Sequence, residues 1–212
     1  MKKPLCLLLL PVLLPLLVCA QTKPDIKPGV FTGKNGLTYI NQALPVYFYF
    51  STEAGASAKK HKLTNPKRES LTDPVNFDKH GPKSINVTYA KDASGRRVPV
   101  NLEMFVDGMP PETQVKFIRK NEAQVKGLIL YDKDLAIELS AQDDGSGLQD
   151  IYYSLNGSAF KPYTSKLSFS EEKEYTLQFF AADKVGNTEK VQAHKFSIDK
   201  TPPVSERKVV GS

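Results

Sequence analysis

Asp143, Asp144 and Asp150 surround the run Gly145-Ser146-Gly147. Carboxylate oxygens gathered at a turn are ligands that a hard cation such as calcium takes. Their spacing lacks the alternation of a calcium loop, and Asp and Gly are also what a tight turn needs for its own backbone. The reading is therefore a turn with no metal ligand assigned. Asp183, Gly186 and Asn187 read as a second turn device, in which the carboxylate accepts backbone N–H groups and Gly takes positive φ. His61, His80 and His194 share no ligand spacing, so no zinc site is expected. His61 sits among lysines, His80 precedes Gly81-Pro82, and His194 alternates with Phe196 and Ile198, which points it inward. Ser146 lies in Gly-Ser-Gly but lacks the strand–turn–helix context of a nucleophile elbow. No catalytic residue and no cofactor are assigned, and the chain is not expected to be an enzyme. Tyr152 should point away from the core, where an aromatic ring can stack on a sugar.

The elements that position these residues are strands. Leu135, Ile137, Leu139 and Ala141 alternate with polar residues, as do Ile151, Tyr153 and Leu155, and then Tyr175, Leu177, Phe179 and Ala181. Asn156-Gly157 is a two-residue hairpin signal. Phe160 and Tyr163 follow on a short strand, then Leu167 and Phe169, and Phe196 and Ile198 precede Pro202-Pro203. About seven short strands with frequent turns describe an antiparallel sandwich.

The pattern occurs twice. Gly36-Leu37-Thr38-Tyr39 and Gly127-Leu128-Ile129-Leu130-Tyr131 begin 91 residues apart, and Pro110-Pro111 and Pro202-Pro203 are 92 apart. Val46, Phe48 and Phe50 match Ile137, Leu139 and Ala141; Val75 and Phe77 match Leu167 and Phe169; Ile85, Val87 and Tyr89 match Tyr175, Leu177 and Phe179. In the first copy Lys59, His61 and Arg68 stand where Ile151, Tyr153 and Phe160 stand, so its middle has drifted. The expected fold is all-β, two tandem immunoglobulin-like antiparallel β-sandwiches after a cleaved signal peptide. The divisions are 1–20 signal peptide, 21–35 flexible leader, 36–111 divergent sandwich, 112–126 linker or first-strand region, 127–203 sandwich and 204–212 tail.

Lys2-Lys3, the apolar run Leu5 to Val18 and the small residues at Cys19-Ala20 read as a secretory signal cleaved after Ala20. Leu16-Leu17-Val18-Cys19 also resembles a lipoprotein box, which would leave a lipid anchor on Cys19. Cys6 and Cys19 are the only cysteines, so cleavage leaves no disulfide and no thiolate site. The net charge of +6 falls to +4 without Lys2 and Lys3. Lys59-Lys60-His61-Lys62 and Lys67-Arg68 form a basic cluster without interleaved aromatics, which speaks for a solvated loop and against nucleic acid. Asn86-Val87-Thr88 and Asn156-Gly157-Ser158 are glycosylation sequons, relevant only to a eukaryotic secretory route.

Asp144-Gly145-Ser146-Gly147, Tyr153-Ser154-Leu155-Asn156-Gly157, Tyr163, Ala182-Asp183-Lys184-Val185-Gly186-Asn187 and Ile198-Asp199-Lys200-Thr201-Pro202-Pro203 together resemble the bacterial immunoglobulin-like repeat named after a leptospiral outer-membrane protein. The resemblance covers 127–203 closely and 36–111 through its strands, the Lys91 to Gly95 turn and the Asp107 to Pro111 exit. It implies a sandwich used as a spacer or adhesive module, without catalytic residues. The strands are too short for a lipid-facing barrel, so no membrane insertion is expected after signal cleavage. The expected protein is an exported, non-enzymatic structural or interaction module, periplasmic, surface-bound or secreted. Its expected partner is a protein or glycan of the cell envelope, and the alternative is a carbohydrate-binding accessory module.

Overall fold

The computed structural model describes residues 22–50, 61–62, 74–91, 97–119, 122–125, 128–131 and 135–201, and every regular element among them is a strand. The first group is β1 (Val30–Thr32), β2 (Thr38–Asn41), β3 (Tyr49–Phe50), β4 (His61–Lys62), β5 (Gly81–Lys91) and β6 (Arg97–Asp107). The second is β7 (Glu112–Ile118), β8 (Glu122–Val125), β9 (Leu128–Tyr131), β10 (Leu135–Gln142), β11 (Leu148–Leu155), β12 (Lys161–Pro162), β13 (Leu167–Phe169), β14 (Glu174–Asp183) and β15 (Gln192–Ile198). The sheets run β1-β2-β6-β5, β3-β4, β13-β10-β7 and β12-β11-β14-β15-β9-β8.

One strand order recurs in the two largest sheets. β1-β2-β6-β5 and β8-β9-β15-β14 have the same order, each with one parallel pair, β2 with β6 and β9 with β15. The bridge between Val46 and Val75 corresponds to the pair Ile137 and Leu167, as the aligned residues require. These sheets are mixed, whereas an antiparallel sandwich was expected. The opening strand reaches the last strand of its unit only through the whole intervening chain, and so long a connection lets the two run in the same direction. The middle of the first copy differs. His61 pairs with Phe50 on β3, whereas β11 pairs with β12 and β14. Lys59, Lys60, Lys67, Arg68, the turn at 92–96, the signal region through Gln21 and the tail from Pro202 lie outside the described residues.

The second group closes one core. Leu135, Ile137 and Leu139 of β10 and Phe169 of β13 face Ile151, Tyr175, Leu177, Phe179, Phe196 and Ile198 of the six-stranded sheet. The period of two along β14 creates this face, and Phe169, Tyr175 and Phe196 pack with ring centroids 4.9–5.3 Å apart. The Leu139 N–H donates to the Tyr163 hydroxyl at 3.1 Å. The Asn156-Gly157 turn forms at φ 50° and 77°, but pairing resumes only at Lys161, opposite Tyr153, so the loop is wider than the two residues suggest.

The segment 112–126, expected as linker or first strand, supplies strands, and part of the 21–35 leader, expected to be flexible, is structured. β7, within 112–126, pairs with β10 from Glu112 opposite Gln142 to Ile118 opposite Ala136. Residues 22–29, within the leader, run along the second group, and Val30–Thr32 becomes an edge strand. The Phe160 N–H donates to the Thr22 carbonyl at 3.4 Å, and the Lys23 ammonium lies 4.5 Å from the Phe180 ring centroid. This explains why β14 is buried on both faces. Phe180 points away from the core yet is covered, with Tyr152 stacked on it at 5.3 Å and Phe160 edge-on at 5.1 Å.

A fragment spanning 111–201 should melt cooperatively with β-type circular dichroism, whereas 127–203 should be less stable by several kcal/mol. The shorter piece removes β7 and uncovers the core at Val115 and Phe117, each large apolar side chain contributing about 1.5–3 kcal/mol when fully buried. Chemical denaturation of both fragments measures the difference, and equal stabilities would contradict the role given to β7.

Candidate functional site

Three turns meet where the two strand groups touch. Each is organised by an aspartate that accepts backbone N–H groups of the residues just after it. Asp183, ending β14, takes Val185 N–H at 3.0 Å and Asn187 N–H at 2.8 Å on Oδ1, and the Asn187 side-chain amide at 2.7 Å on Oδ2. Asp143 takes Gly145 N–H at 3.1 Å and Gly147 N–H at 2.7 Å, both on Oδ2. Asp107, ending β6, takes Met109 N–H at 3.2 Å on Oδ1. Its Oδ2 takes the Ser146 N–H at 2.6 Å, from the other group of strands.

The rest of the junction is amide chemistry. The buried Asn41 side chain donates to the Val185 carbonyl at 3.0 Å and to Asn187 Oδ1 at 2.9 Å. Asn187 donates in turn to the Asp107 carbonyl at 3.2 Å, and Gly29 N–H to the Val185 carbonyl at 2.8 Å. Lys184 extends its ammonium to 4.7 Å from the Phe31 ring centroid. Two glycines permit the close approach. A Cβ on Gly145 would lie 2.2 Å from Asp107 Oδ2, and one on Gly186, which has φ +90°, would lie 2.2 Å from the Lys27 carbonyl oxygen.

This arrangement gathers charge. One oxygen from each of Asp107, Asp143 and Asp183 lies within 4.8 Å of the others, with Asp107 and Asp183 buried and Asp143 half-buried. His80 Nδ1 is 3.4 Å from Asp107 Oδ1, but the same nitrogen accepts the Gly108 N–H at 3.2 Å. Burial pushes the Asp183 carboxyl up to about 6, and the Asp107 and Asp143 charges add to the rise against the lowering effect of its bonds to Asn187. Burial likewise raises Asp143, with Asp107 and Asp144 contributing and the Gly145 and Gly147 amides opposing.

The residues singled out in the sequence therefore separate. Asp143 joins the cluster. Asp144 is exposed and accepts the Gln142 amide at 3.0 Å, and Asp150 lies 3.4 Å from the Tyr152 hydroxyl. Tyr152 is not an isolated surface ring, because it stacks on Phe180, and burial followed by the Asp150 charge raises its pKa. His194 faces inward, stacked at 5.7 Å on Phe179 and edge-on to Phe117 at 5.5 Å, and burial lowers its pKa. Of His61 only the strand position is described. Ser146 is buried beside two of the carboxylates. Asp107 and Asn41 were not anticipated at this site. Asp107 had a partial signal, since it occupies the repeat position of Asp199, whose Oδ1 accepts the Thr201 N–H at 2.9 Å in the same kind of turn. Asn41 had none.

The fold and the site define an all-β protein whose polar residues converge on a junction between two groups of strands. No family model matches the chain, and no curated protein matches it in sequence. Among solved structures it is similar to the fibronectin(III)-like modules of Clostridium thermocellum CbhA, at 11% identity and a TM-score of 0.36, over 89% of this chain and 88% of that one.

Gly145→Ala and Gly186→Ala should each lower stability by about 2 kcal/mol or more in urea denaturation, because the atoms in the way are a hydrogen-bonded carboxylate and a backbone carbonyl. Gly157→Ala should cost only about 1–2 kcal/mol, since that turn has φ +77° but open space around it. In chelator-containing buffer, a carboxyl NMR titration should place the Asp183 midpoint near 6, against 3.8 for an unperturbed Asp. The folded state then holds this proton more tightly than the unfolded state. Its contribution should stabilise the fold below about pH 4 and be lost as pH rises through about 6.

Proposed function

We propose that the chain is an exported, non-enzymatic structural or interaction module of a bacterial envelope or its surroundings. It consists of two immunoglobulin-like sandwiches in series, of the repeat family that residues 127–203 resemble. The observation that carries this reading is the junction. The buried Asn41 and Asp107 direct hydrogen bonds across the contact between the two strand groups, to the turn that Asp183 organises and to the Ser146 amide. A protein that must keep two sandwiches at a fixed angle uses polar groups in this way, because amide and carboxylate bonds are directional and costly to leave unmade. The signal-like N-terminus supports export.

Exposed tyrosines favour a second reading, the carbohydrate-binding accessory module. Tyr47 and Tyr49, about half exposed at 48% and 54%, stand two residues apart at the start of β3. Rings so placed can stack on successive sugars.

For the first reading, NMR relaxation of the mature chain should give one common tumbling time for both groups of strands. Asn41→Ala should separate the two times while each sandwich stays folded. Independent tumbling in the unsubstituted chain would overturn the spacer reading. Retention on an envelope polysaccharide that is lost in Tyr47→Ala/Tyr49→Ala would replace it with the carbohydrate-binding one.

A further inference from the structure

The junction concentrates carboxylate charge. Three carboxylates approach one another there, and among the described residues no lysine or arginine forms an ion pair with any of them. The nearby Lys184 ammonium lies 4.7 Å from the Phe31 ring centroid and makes no ion pair with them. Several carboxylate lone pairs are also unused. Both hydrogen bonds to Asp143 fall on Oδ2, which leaves Oδ1 without one.

An independent observation comes from Ser146. It is 96% buried, and its Oγ is the buried side-chain polar atom without a hydrogen-bond partner among the described residues. Its own amide binds Asp107, and the amides of Gly145 and Gly147 on either side bind Asp143. The residue that carries the orphaned hydroxyl therefore lies on the backbone segment held by two of the three carboxylates. A buried hydroxyl without a partner carries a desolvation cost, and a bound cation would give its lone pairs a use.

We propose that Asp107, Asp143 and Asp183 together bind one hard divalent cation, calcium by preference, with Ser146 Oγ as a further oxygen ligand. The donors are all oxygens, which suits calcium or magnesium and not zinc or copper. The three oxygens lie within 4.8 Å of one another, close enough for one ion with calcium–oxygen bonds of about 2.3–2.6 Å, and a set made wholly of protein oxygens suits calcium better than magnesium, which usually keeps several waters. Because Asp107 comes from one strand group and Asp143 and Asp183 from the other, the ion clamps the junction. The set shares only Asp143 with the Asp143, Asp144 and Asp150 group, which the sequence reads as a turn without a metal ligand. The proposal goes beyond the structural-module reading, which stands whether or not a metal is bound.

Calorimetric titration of the chelator-treated mature chain with calcium chloride should give one ion per chain. Calcium should raise the melting temperature by several degrees over EDTA, more than magnesium at the same concentration. Asp143→Asn, at the half-buried member, should abolish both effects while keeping the circular dichroism spectrum, and Ser146→Ala should weaken binding severalfold. Asp144→Asn should leave both effects intact. The proposal is overturned by the absence of heat and melting shift up to about 10 mM calcium, tenfold beyond the weakest extracellular calcium modules. It is also overturned by equal shifts with potassium chloride at matched ionic strength, or by a full response in Asp143→Asn. Should that variant not fold, calcium-induced NMR shifts in the unsubstituted chain decide. Shifts centred on Asp107, Gly145 to Gly147 and Asp183 support the site, and shifts centred elsewhere overturn it.

Discussion

The hydrogen bond from the Ser146 amide to Asp107 is the contact on which the arrangement of the two strand groups depends. Asp107 is fully buried, and a buried carboxylate must find donors or lose its charge. One donor, Met109, comes from its own turn; the Ser146 amide comes from the other group. Pulling the groups apart would strand the carboxylate half-satisfied. The same holds for the Asn41 amide, whose two acceptors both lie on the Val185 to Asn187 turn. Apolar packing makes each group, but directional polar bonds set how one meets the other.

The charge cluster is a by-product of turn chemistry carried one step further. Asp107, Asp143 and Asp183 each serve a turn at the end of a strand, because a carboxylate two residues ahead of an N–H closes the chain on itself. Each would be unremarkable alone. Packing the pole of one unit against the pole of the next brings all three together and removes water, and the result is the raised proton affinity of Asp183. A device used for folding three times thus brings three carboxylate oxygens within 4.8 Å of one another.

The chain ahead of β1 shows a related economy. Residues 22–29 contribute little apolar surface of their own, yet they cover Phe180 and donate Gly29 to Val185. Their Lys, Pro and Gly content reads as solvated chain because their binding is through backbone carbonyls and amides, which every residue type carries. Gly186 is the other half of that contact, since only a residue without Cβ leaves room for the Lys27 carbonyl.

Much of the architecture follows from local pattern. The alternation of Tyr175, Leu177, Phe179 and Ala181, and of Leu135, Ile137 and Leu139, determines which faces form the core, because side chains alternate along any strand whatever it pairs with. Motifs spaced 91 to 92 residues apart accompany a strand order that recurs, and Asp183 with Gly186 is legible as a turn. The parallel pairing of β2 with β6, the seat of β7 against β10, the burial of Phe180 and the company kept by Asp107 belong to the tertiary structure. Each depends on residues far apart in sequence: Asp107 meets Ser146 39 positions away, and Asn41 meets Asn187 146 positions away. Spacing along a chain reports which atoms one turn or one strand can bring together. Which turns then share a junction is decided only when two folded units exclude the water between them.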